Sequence, residues 1–586
     1  MDIGKFWKKG WIAFFICAAS FVYLLDLTWF KWGDLIVDVG REMWVPLHLS
    51  MGKLLYRDVF YIYGPFSPYF NSVLFKFLGP YIHTLALSGA ITTSVVSILI
   101  YKISRFFFNI FFSAFTVFTF LFVFAFGQYV YYGNYNFILP YCYPSIHGIA
   151  FSLAAFYFFY LWLKKSHARY GYGCSLMVLF TILSRIDVGV MLIFSIAIGL
   201  IFYHRRVSPE ISVRSKILLC VILPIILAAL IYGLFLKSAI AQGNSMFDIW
   251  ARSIDMSNPF TSWLSGTGEL SKNMSIMFKN FMHYLILCLL FAIGGLILRK
   301  NIVSFLIGLF FILAGAILFR IFFTYEIQYV SLPIICVVMF FISLVRLAKN
   351  ENALENLFIL VFSLFSFLLM TRMLMHVWAG HYGFYIVVPG MIIYYLFFIK
   401  IVAGALKTLS ARKFFRLGFT IIFTLFIISH LNVSRFCYEN RTLKIESKRG
   451  NLYAFNNDRE KRCREVIEFL DKNTLKDETL VVFPEGVVFN FLLEMENPLY
   501  YYNYHPVALA KEGVVDEIIS GIEKEEVDYI ALTQRDTAEY GYPVFGKDYA
   551  TEIMQYIREN YVLYKQFGPF PFATREYGIA LFKRKI

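Results

Sequence analysis

The sequence predicts an α-helical protein that crosses a membrane many times and ends in a small α/β domain outside it. Of its 586 residues, 59% are hydrophobic and only 16% are charged, against roughly a quarter charged in soluble domains. The apolar residues form runs of about 18 to 22 residues, which is long enough to cross a bilayer. From about Glu439 onward the composition becomes mixed and charged. These observations exclude a soluble enzyme.

The net charge of +15 does not indicate nucleic acid as a partner. Most of the lysines and arginines lie at the ends of apolar runs, where they mark the edges of membrane spans. The eight cysteines are scattered, and the sequence has no CxxC or Cys/His spacing typical of a metal site. The charge pattern therefore predicts membrane lipids as neighbours, and it gives no metal site.

Thirteen apolar runs are predicted to be membrane spans. The first is too long for a removable signal peptide and has no small-residue cleavage site, so we expect it to remain as an anchor. The stretch from 171 to 203 is divided at Arg185, because this keeps the two flanking basic loops on the same side. The predicted spans are 11–30, 84–104, 106–128, 146–163, 171–184, 188–203, 216–237, 281–298, 302–323, 326–346, 354–373, 384–404 and 415–432.

Basic residues in the short loops predict the orientation of these spans. If the N-terminus is cytoplasmic, every short-loop cluster of Lys and Arg falls inside, and an odd number of crossings places the C-terminus outside. The larger outer regions are then 31–83, 129–145 and 238–280. The inside clusters are Lys102/Arg105, Lys164/Lys165/Arg169, Arg205/Arg206/Arg214/Lys216, Arg299/Lys300, Arg346/Lys349 and Lys407/Arg412/Lys413/Arg416.

Residues 439–586 are predicted to form a separate extracytoplasmic α/β domain, beyond a transmembrane module of residues 1–435. Strand signals alternate there with helical stretches, which is typical of a layered α/β domain. The predicted strands are 478–484, 527–533 and 577–584, and the predicted helices are 459–472, 513–524 and 548–560.

Charged residues are concentrated in the first outer loop, residues 31–83, beside a very apolar body. Asp34, Asp38 and Arg41 are spaced i, i+4 and i+7, so on a helix they would share one face. Two carboxylates one turn apart repel each other mildly, which indicates either a role in function or compensation by Arg41. A solvated interfacial helix with its own ion pairs explains the same spacing without any function.

A series of motifs in this loop carries a family resemblance. Asp38 is followed fourteen residues later by Gly52, then by Leu-Tyr-Arg-Asp at 55–58 and Gly-Pro at 64–65. This order resembles the first extracytoplasmic loop of GT-C glycosyltransferases of the family 39 type, which include protein O-mannosyltransferases and the lipid A aminoarabinose transferase. The resemblance implies GT-C architecture, a catalytic Asp in this loop and a polyprenyl-phosphate sugar as donor.

The sequence also departs from that family. Many members have an Asp-Glu pair in this loop, whereas here Val39 follows Asp38 and a second Asp, Asp34, lies four residues upstream. The catalytic residue is therefore left open between the two, and the spacing to Gly52 favours Asp38. A single divalent ion at Asp34 and Asp38 is also left open, although the accompanying arginines do not call for one.

The chemistry requires a base and a site for the departing phosphate. Transfer of a sugar with inversion needs a carboxylate to take the acceptor's proton, a contribution of roughly 10²- to 10⁴-fold. The leaving phosphate gains charge, which cations or hydrogen-bond donors must stabilise. The predicted base is Asp38 or Asp34. The predicted substrate-binding residues are Arg41, Arg57, Asp58, Arg185, His381 and Tyr382.

Each of the substrate-binding candidates outside the loop has a structural alternative. Arg185 pairs with Asp187 in a simple turn, or else contacts the lipid phosphate. His381 and Tyr382 precede a span, where an aromatic belt explains the tyrosine equally well. In the region 131–148, Tyr135 and Tyr141 either line a sugar pocket or belong to the same belt.

These patterns together predict an integral membrane glycosyltransferase. We expect an inverting enzyme that moves a sugar from a polyprenyl-phosphate carrier to a lipid, glycan or protein acceptor on the outer side of a bacterial inner membrane. We expect the C-terminal domain to cover the outer cavity and help to select the acceptor. The alternative is a transporter or flippase of a lipid-linked saccharide, but such proteins gather polar residues near the bilayer midplane, whereas this chain gathers them at one face.

Overall fold

The computed structural model describes residues 10–207, 213–240, 259–297, 302–475 and 477–585. Each of the thirteen predicted spans coincides with a helix in this part of the chain. Arg299, Lys300 and much of the predicted outer region 238–280 lie outside the described residues. The helices are Gly10–Leu27, Ile82–Ser104, Ile110–Ala125, Tyr143–Lys165, Ala168–Ser184, Ile186–Arg206, Ser215–Lys237, Leu270–Ile297, Ile302–Phe322, Leu332–Ala348, Ala353–Met370, Gly383–Ala405 and Leu409–Glu439.

Ten of the described helices are long and apolar enough to cross a membrane, and the α-helical membrane fold is confirmed. The helices differ in how much protein surrounds them. In Gly383–Ala405 and Tyr143–Lys165 most residues of the apolar stretch are buried, so these helices form the centre of the body. In Gly10–Leu27 and Val303–Phe322 few are buried, which leaves most of their apolar surface for lipid.

The predicted break in the stretch 171–203 is present at the expected residue. One helix ends at Ser184, the next begins at Ile186, and Arg185 between them has extended backbone angles. The Arg185 guanidinium donates to the Asp187 carboxylate at 2.9 Å, so the two charges at the turn neutralise each other.

The first outer loop does not form the helix that the spacing of Asp34, Asp38 and Arg41 suggests. Its first helix, Val39–Ser50, begins only after Asp38, so Asp34 lies in the irregular segment before it. The prediction of one shared helical face is wrong for this reason. Gly52 follows the helix with φ of +94°, a conformation that glycine adopts without strain. A second helix, Phe66–Leu78, completes the loop.

The C-terminal region contains the three predicted strands and the three predicted helices. The strands are β1 Arg441–Ile445, β2 Leu452–Phe455, β3 Leu480–Phe483, β4 Tyr529–Thr533, β5 Tyr561–Phe567 and β6 Ile579–Arg584. A four-stranded sheet has the order β3–β4–β6–β5, in which β3 and β4 are parallel and the other pairs are antiparallel. Strand β5 and the hairpin β1–β2 were not predicted. The longer helices are Asp458–Asn473, Val514–Lys524 and Thr551–Asn560.

The C-terminal region packs directly on the first outer loop. The Arg441 guanidinium donates to the carbonyl oxygen of Gly33 at 2.7 Å, and the Lys53 ammonium lies 2.7 Å from the Glu496 carboxylate. Gly40 is the point of closest approach, because a Cβ there would lie 2.6 Å from the Val487 side chain and 2.9 Å from the backbone nitrogen of Val488. The absence of a side chain at Gly40 thus allows the helix and the domain to touch.

Candidate active site

A cavity of about 590 Å³ lies between the transmembrane body and the C-terminal region. The helices that reach the cavity do so with one end, and their basic residues lie at the other end. Tyr143–Lys165 and Ile186–Arg206, for example, begin beside the cavity and end in basic residues. The cavity and the basic loops are therefore at opposite ends of the body. Four arginines and three carboxylates line it: Arg41, Arg185, Arg372 and Arg535 with Asp38, Glu485 and Glu539.

Asp38 lies on the cavity wall at the start of the helix Val39–Ser50. Its backbone has φ of +61°, which is uncommon for a residue other than glycine and is often found at functional sites. Its carboxylate lies 3.8 Å from the Arg41 guanidinium, and its side chain is 27% exposed. The pKa of Asp38 is raised to about 7, mainly by burial; the charge of Arg41 opposes this effect and the charge of Glu485 adds to it.

Asp34 is buried behind the cavity wall, and its carboxylate oxygens already accept hydrogen bonds from other groups. Its carboxylate accepts the backbone N–H groups of Ile36 and Val37 at 2.9 and 2.7 Å and that of Gly133 at 3.3 Å. It also accepts two hydrogen bonds from the Arg459 guanidinium, at 2.6 and 3.2 Å. Burial alone would raise the pKa of Asp34, but the charge and hydrogen bonds of Arg459 outweigh it and hold the pKa below its usual value.

Three arginines form a connected series on the membrane side of the cavity. The Arg41 and Arg185 guanidinium groups each lie 5.2 Å from the centre of the Tyr63 ring, and Arg185 shares Asp187 with Arg372, whose guanidinium is 3.6 Å from that carboxylate. The Arg41 guanidinium also donates to the carbonyl oxygen of Tyr141 at 2.7 Å. Positive charge thus lies beside Asp38 at Arg41 and continues to Arg185 and Arg372, so an anionic group in this part of the cavity would be stabilised.

His381 and Tyr382 line an aromatic part of the wall. The centre of the His381 ring lies 4.8 Å from that of Tyr135 and 5.4 Å from that of Trp263. Burial, together with the nearby charge of Arg372, lowers the pKa of His381 to about 3. Its imidazole is therefore neutral at ordinary pH, and it would contact a phosphate as a hydrogen-bond donor rather than as a cation. Tyr382 lies under the Arg372 guanidinium, 4.5 Å from it.

The structure brings some predicted residues to the cavity and leaves others away from it. Asp38, Arg41, Arg185, His381 and Tyr382 line it, as do two aromatic residues of the region 131–148, Tyr135 and Tyr141. Arg57 and Asp58 do not line it. They form a two-point ion pair with each other, in which both nitrogen–oxygen distances are 2.7 Å.

Sequence reasoning missed Arg372 of the membrane body and three charged residues of the C-terminal region, Glu485, Arg535 and Glu539, all of which line the cavity. Glu485 and Arg535 each lie two residues beyond the carboxyl ends of the parallel strands β3 and β4. The Arg535 guanidinium donates to the Glu485 carboxylate at 3.2 Å. Ligands in α/β folds commonly bind beyond the carboxyl ends of parallel strands. A charged residue directly after a predicted buried strand was the signal that could have identified both.

The acids around the cavity do not form a ligand set for a divalent ion. Among the described residues, no group of three or more His, Cys, Asp or Glu side chains is close enough to hold a metal. Asp34 does not fit as a ligand because Arg459 and three backbone N–H groups already occupy its oxygens. The residues present favour chemistry that uses arginines as the counter-charge.

The fold of this chain is a helical body of many spans, with a cavity at one end closed by a small α/β unit. The chain shares this fold with the oligosaccharyltransferase of Archaeoglobus fulgidus in its apo form. The TM-score is 0.51 at 13% sequence identity, and the match covers 97% of this chain and 76% of that protein. The GT-C fold that the first loop implied is confirmed.

Two further solved structures match over almost their entire length. ArnT from Cupriavidus metallidurans in the apo state gives a TM-score of 0.40 at 13% identity, covering 98% of both chains. The same protein bound to undecaprenyl phosphate gives 0.38 at 11% identity, again covering 98% of both. No family model matches the sequence, and no curated protein matches it.

Proposed function

We propose that the protein is a membrane glycosyltransferase that moves a sugar from a polyprenyl-phosphate-linked donor to a lipid, glycan or protein acceptor. The observation that carries the proposal is the position of Asp38, whose raised pKa of about 7 suits a general base, beside a series of arginines in a cavity of about 590 Å³. The GT-C fold supports it. The donor class rests on the resemblance of the first loop and on the chemistry of these arginines.

In this mechanism Asp38 takes the proton of the acceptor hydroxyl as its oxygen forms a bond to the anomeric carbon. The bond between that carbon and the phosphate oxygen breaks with inversion, and the phosphate leaves with the bonding electron pair. Arg41, Arg185 and Arg372 hold the phosphate and stabilise its growing charge. The aromatic rings of Tyr135 and Trp263 are positioned to contact the sugar.

The arrangement also predicts sidedness. The cavity lies at the helix ends opposite to the basic loops, so we propose that catalysis takes place on the extracytoplasmic side of a bacterial inner membrane. In this orientation the N-terminus is cytoplasmic and the C-terminal domain is outside. The transfer reaction would then use a donor whose sugar already faces outward.

The test is to purify the chain in lipid nanodiscs and identify co-purifying lipid-linked sugars by mass spectrometry. The same lipid is then offered to the enzyme, and sugar transfer is measured by chromatography. We expect Arg185→Gln to raise KM for the donor by at least about tenfold, since charge-assisted contacts contribute about 1.5–3 kcal/mol. Arg57→Gln is the matched control, because Arg57 does not line the cavity. Equal KM values for both variants would contradict the assignment of the phosphate site.

A further inference from the structure

Glu485 is the residue of the C-terminal region that lies against the Asp38 loop. Its side-chain Oε1 accepts the backbone N–H of Asp38 at 3.1 Å. The same oxygen accepts from the Asn503 amide at 3.1 Å, and Oε2 accepts from the Arg535 guanidinium at 3.2 Å. Only 7% of Glu485 is exposed, so these contacts define a single position for its carboxylate.

The backbone of Asp38 needs such a contact. A residue other than glycine with φ near +61° is held in an unfavourable conformation, and the surrounding structure must impose it. The N–H of Asp38 directly precedes the helix Val39–Ser50, and it donates to the Glu485 side chain. Glu485 therefore fixes the conformation from which the Asp38 carboxylate reaches the cavity.

The local fold fixes Glu485 in turn. It follows strand β3, and its own carbonyl oxygen accepts the Thr533 hydroxyl at 3.0 Å, which ties it to strand β4. The next residue, Gly486, has φ of +144°, so a glycine is required for the chain to turn there. The turn is pressed against the helix at Gly40. The contact with Asp38 is therefore part of a packed interface, and Glu485 is held in place when it makes this contact.

We propose that Glu485 is a positioning residue for the transfer reaction: it holds the Asp38 backbone through its N–H and keeps a negative charge close to the Asp38 carboxyl. The C-terminal region then completes the catalytic centre, and does not only cover it. This inference rests on the proposed function, since it concerns the same base. It also predicts how Glu485 affects the ionisation of Asp38, which can be measured without a substrate.

The effect of Glu485 on Asp38 has a predicted sign. A like charge nearby favours the protonated carboxyl, so removing it lowers the pKa of Asp38. Arg535 would keep its second partner, Glu539, and would act more strongly on Asp38 once freed from Glu485. The groups whose charges act on the Asp38 carboxyl, or on which it acts, are Arg41, Asp34, Glu485, Arg535, Tyr135 and Tyr382.

The test compares Glu485→Gln with Glu485→Ala in the full-length protein. The glutamine keeps an oxygen that accepts the Asp38 N–H but has no charge, whereas alanine removes both. For Glu485→Gln we expect substantial activity, with the midpoint of the pH–rate profile shifted down by about one pH unit. For Glu485→Ala we expect transfer to fall at least tenfold at every pH. Glu496→Gln, which removes a cross-interface ion pair away from the cavity, should leave the midpoint unchanged.

A second readout does not depend on the substrate. Carbodiimides react with protonated carboxyl groups, so labelling of Asp38, followed by peptide mass spectrometry, reports its ionisation from pH 5 to 9. We expect the labelling curve of Glu485→Gln to lie about one pH unit below that of the wild type. Superimposed curves would overturn the inference even if transfer is observed. A shifted curve in a protein that transfers no sugar would overturn the proposed function, while the effect of Glu485 on the Asp38 carboxyl would still hold.

Discussion

The two acidic residues of the first loop should respond oppositely to the same substitution. Asp34→Asn replaces one carboxylate oxygen by an NH₂ group. If the amide oxygen takes the place of Oδ1, the NH₂ faces the N–H of Gly133 and the Arg459 guanidinium, so donors meet donors. Breaking a buried ion pair costs about 3–5 kcal/mol. Because Arg459 keeps Glu460 as a partner, we expect the lower end, about 3 kcal/mol.

Asp38→Asn should not destabilise the protein. Among the residues that the structure describes, the Asp38 carboxylate has an ion pair only with Arg41, at 3.8 Å, and its folded pKa of about 7 lies above the ordinary value of 3.8. The folded state therefore binds more protons than the unfolded state between about pH 4 and pH 7, and stability falls as pH rises through that window. Above pH 7 the ionised Asp38 costs about 4 kcal/mol, and asparagine removes that cost.

The assay combines thermal unfolding at pH 8 with sugar transfer. For Asp34→Asn we expect the unfolding temperature to fall by about 6–12 °C, using about 2–4 °C per kcal/mol for a unit the size of the C-terminal domain. For Asp38→Asn we expect an unchanged or higher unfolding temperature and a loss of transfer of about 10²-fold or more. If the Asp34→Asn variant were stable but inactive while the Asp38→Asn variant remained active, the assignment of the two roles would be reversed. Full activity in both would refute the mechanism.

Two further predictions concern the interface and the topology. Gly40→Ala should weaken the contact between the first loop and the turn after strand β3 and reduce transfer, because its Cβ would meet the backbone of Val488 at 2.9 Å. Gly404→Ala, with nothing within 4 Å, is the control and should transfer normally. Reporter tags after Lys9 and after Ile586 should be read as cytoplasmic and extracytoplasmic, and a cytoplasmic signal from the second would contradict the proposed sidedness.

The helices and three of the six C-terminal strands, β3, β4 and β6, were predictable because their signals are local. Runs of apolar residues determine the spans, and the basic loops were sufficient to locate the break at Arg185. Strand β5 was missed because its five central residues are all exposed and only Tyr561 and Phe567, at its two ends, are buried. It therefore has no alternating pattern of apolar and polar residues. Where the pattern is local, sequence reasoning matches the structure.

The candidate site was only partly predictable because it depends on contacts between distant parts of the chain. Asp34 and Asp38 have similar sequence surroundings, and the residue that separates their roles, Arg459, is 425 positions away from Asp34. Glu485 lies 447 positions from Asp38. No local spacing rule reports such a pairing. A charged residue after each of two buried strands was visible, but nothing in the sequence indicated that they meet the first loop.

These contacts also show why the first loop is not an independent catalytic unit. Without the C-terminal region, Asp34 would lose Arg459, the Asp38 N–H would lose Glu485, and the Gly33 carbonyl would lose Arg441. An ionised buried carboxylate without its partner is strongly unfavourable, so the segment before Val39 would rearrange. The charge of Glu485, in the same region, also contributes to the raised pKa of Asp38. Docking of the C-terminal region therefore both shapes the loop and helps to bring the proposed base into the pH range in which it could act.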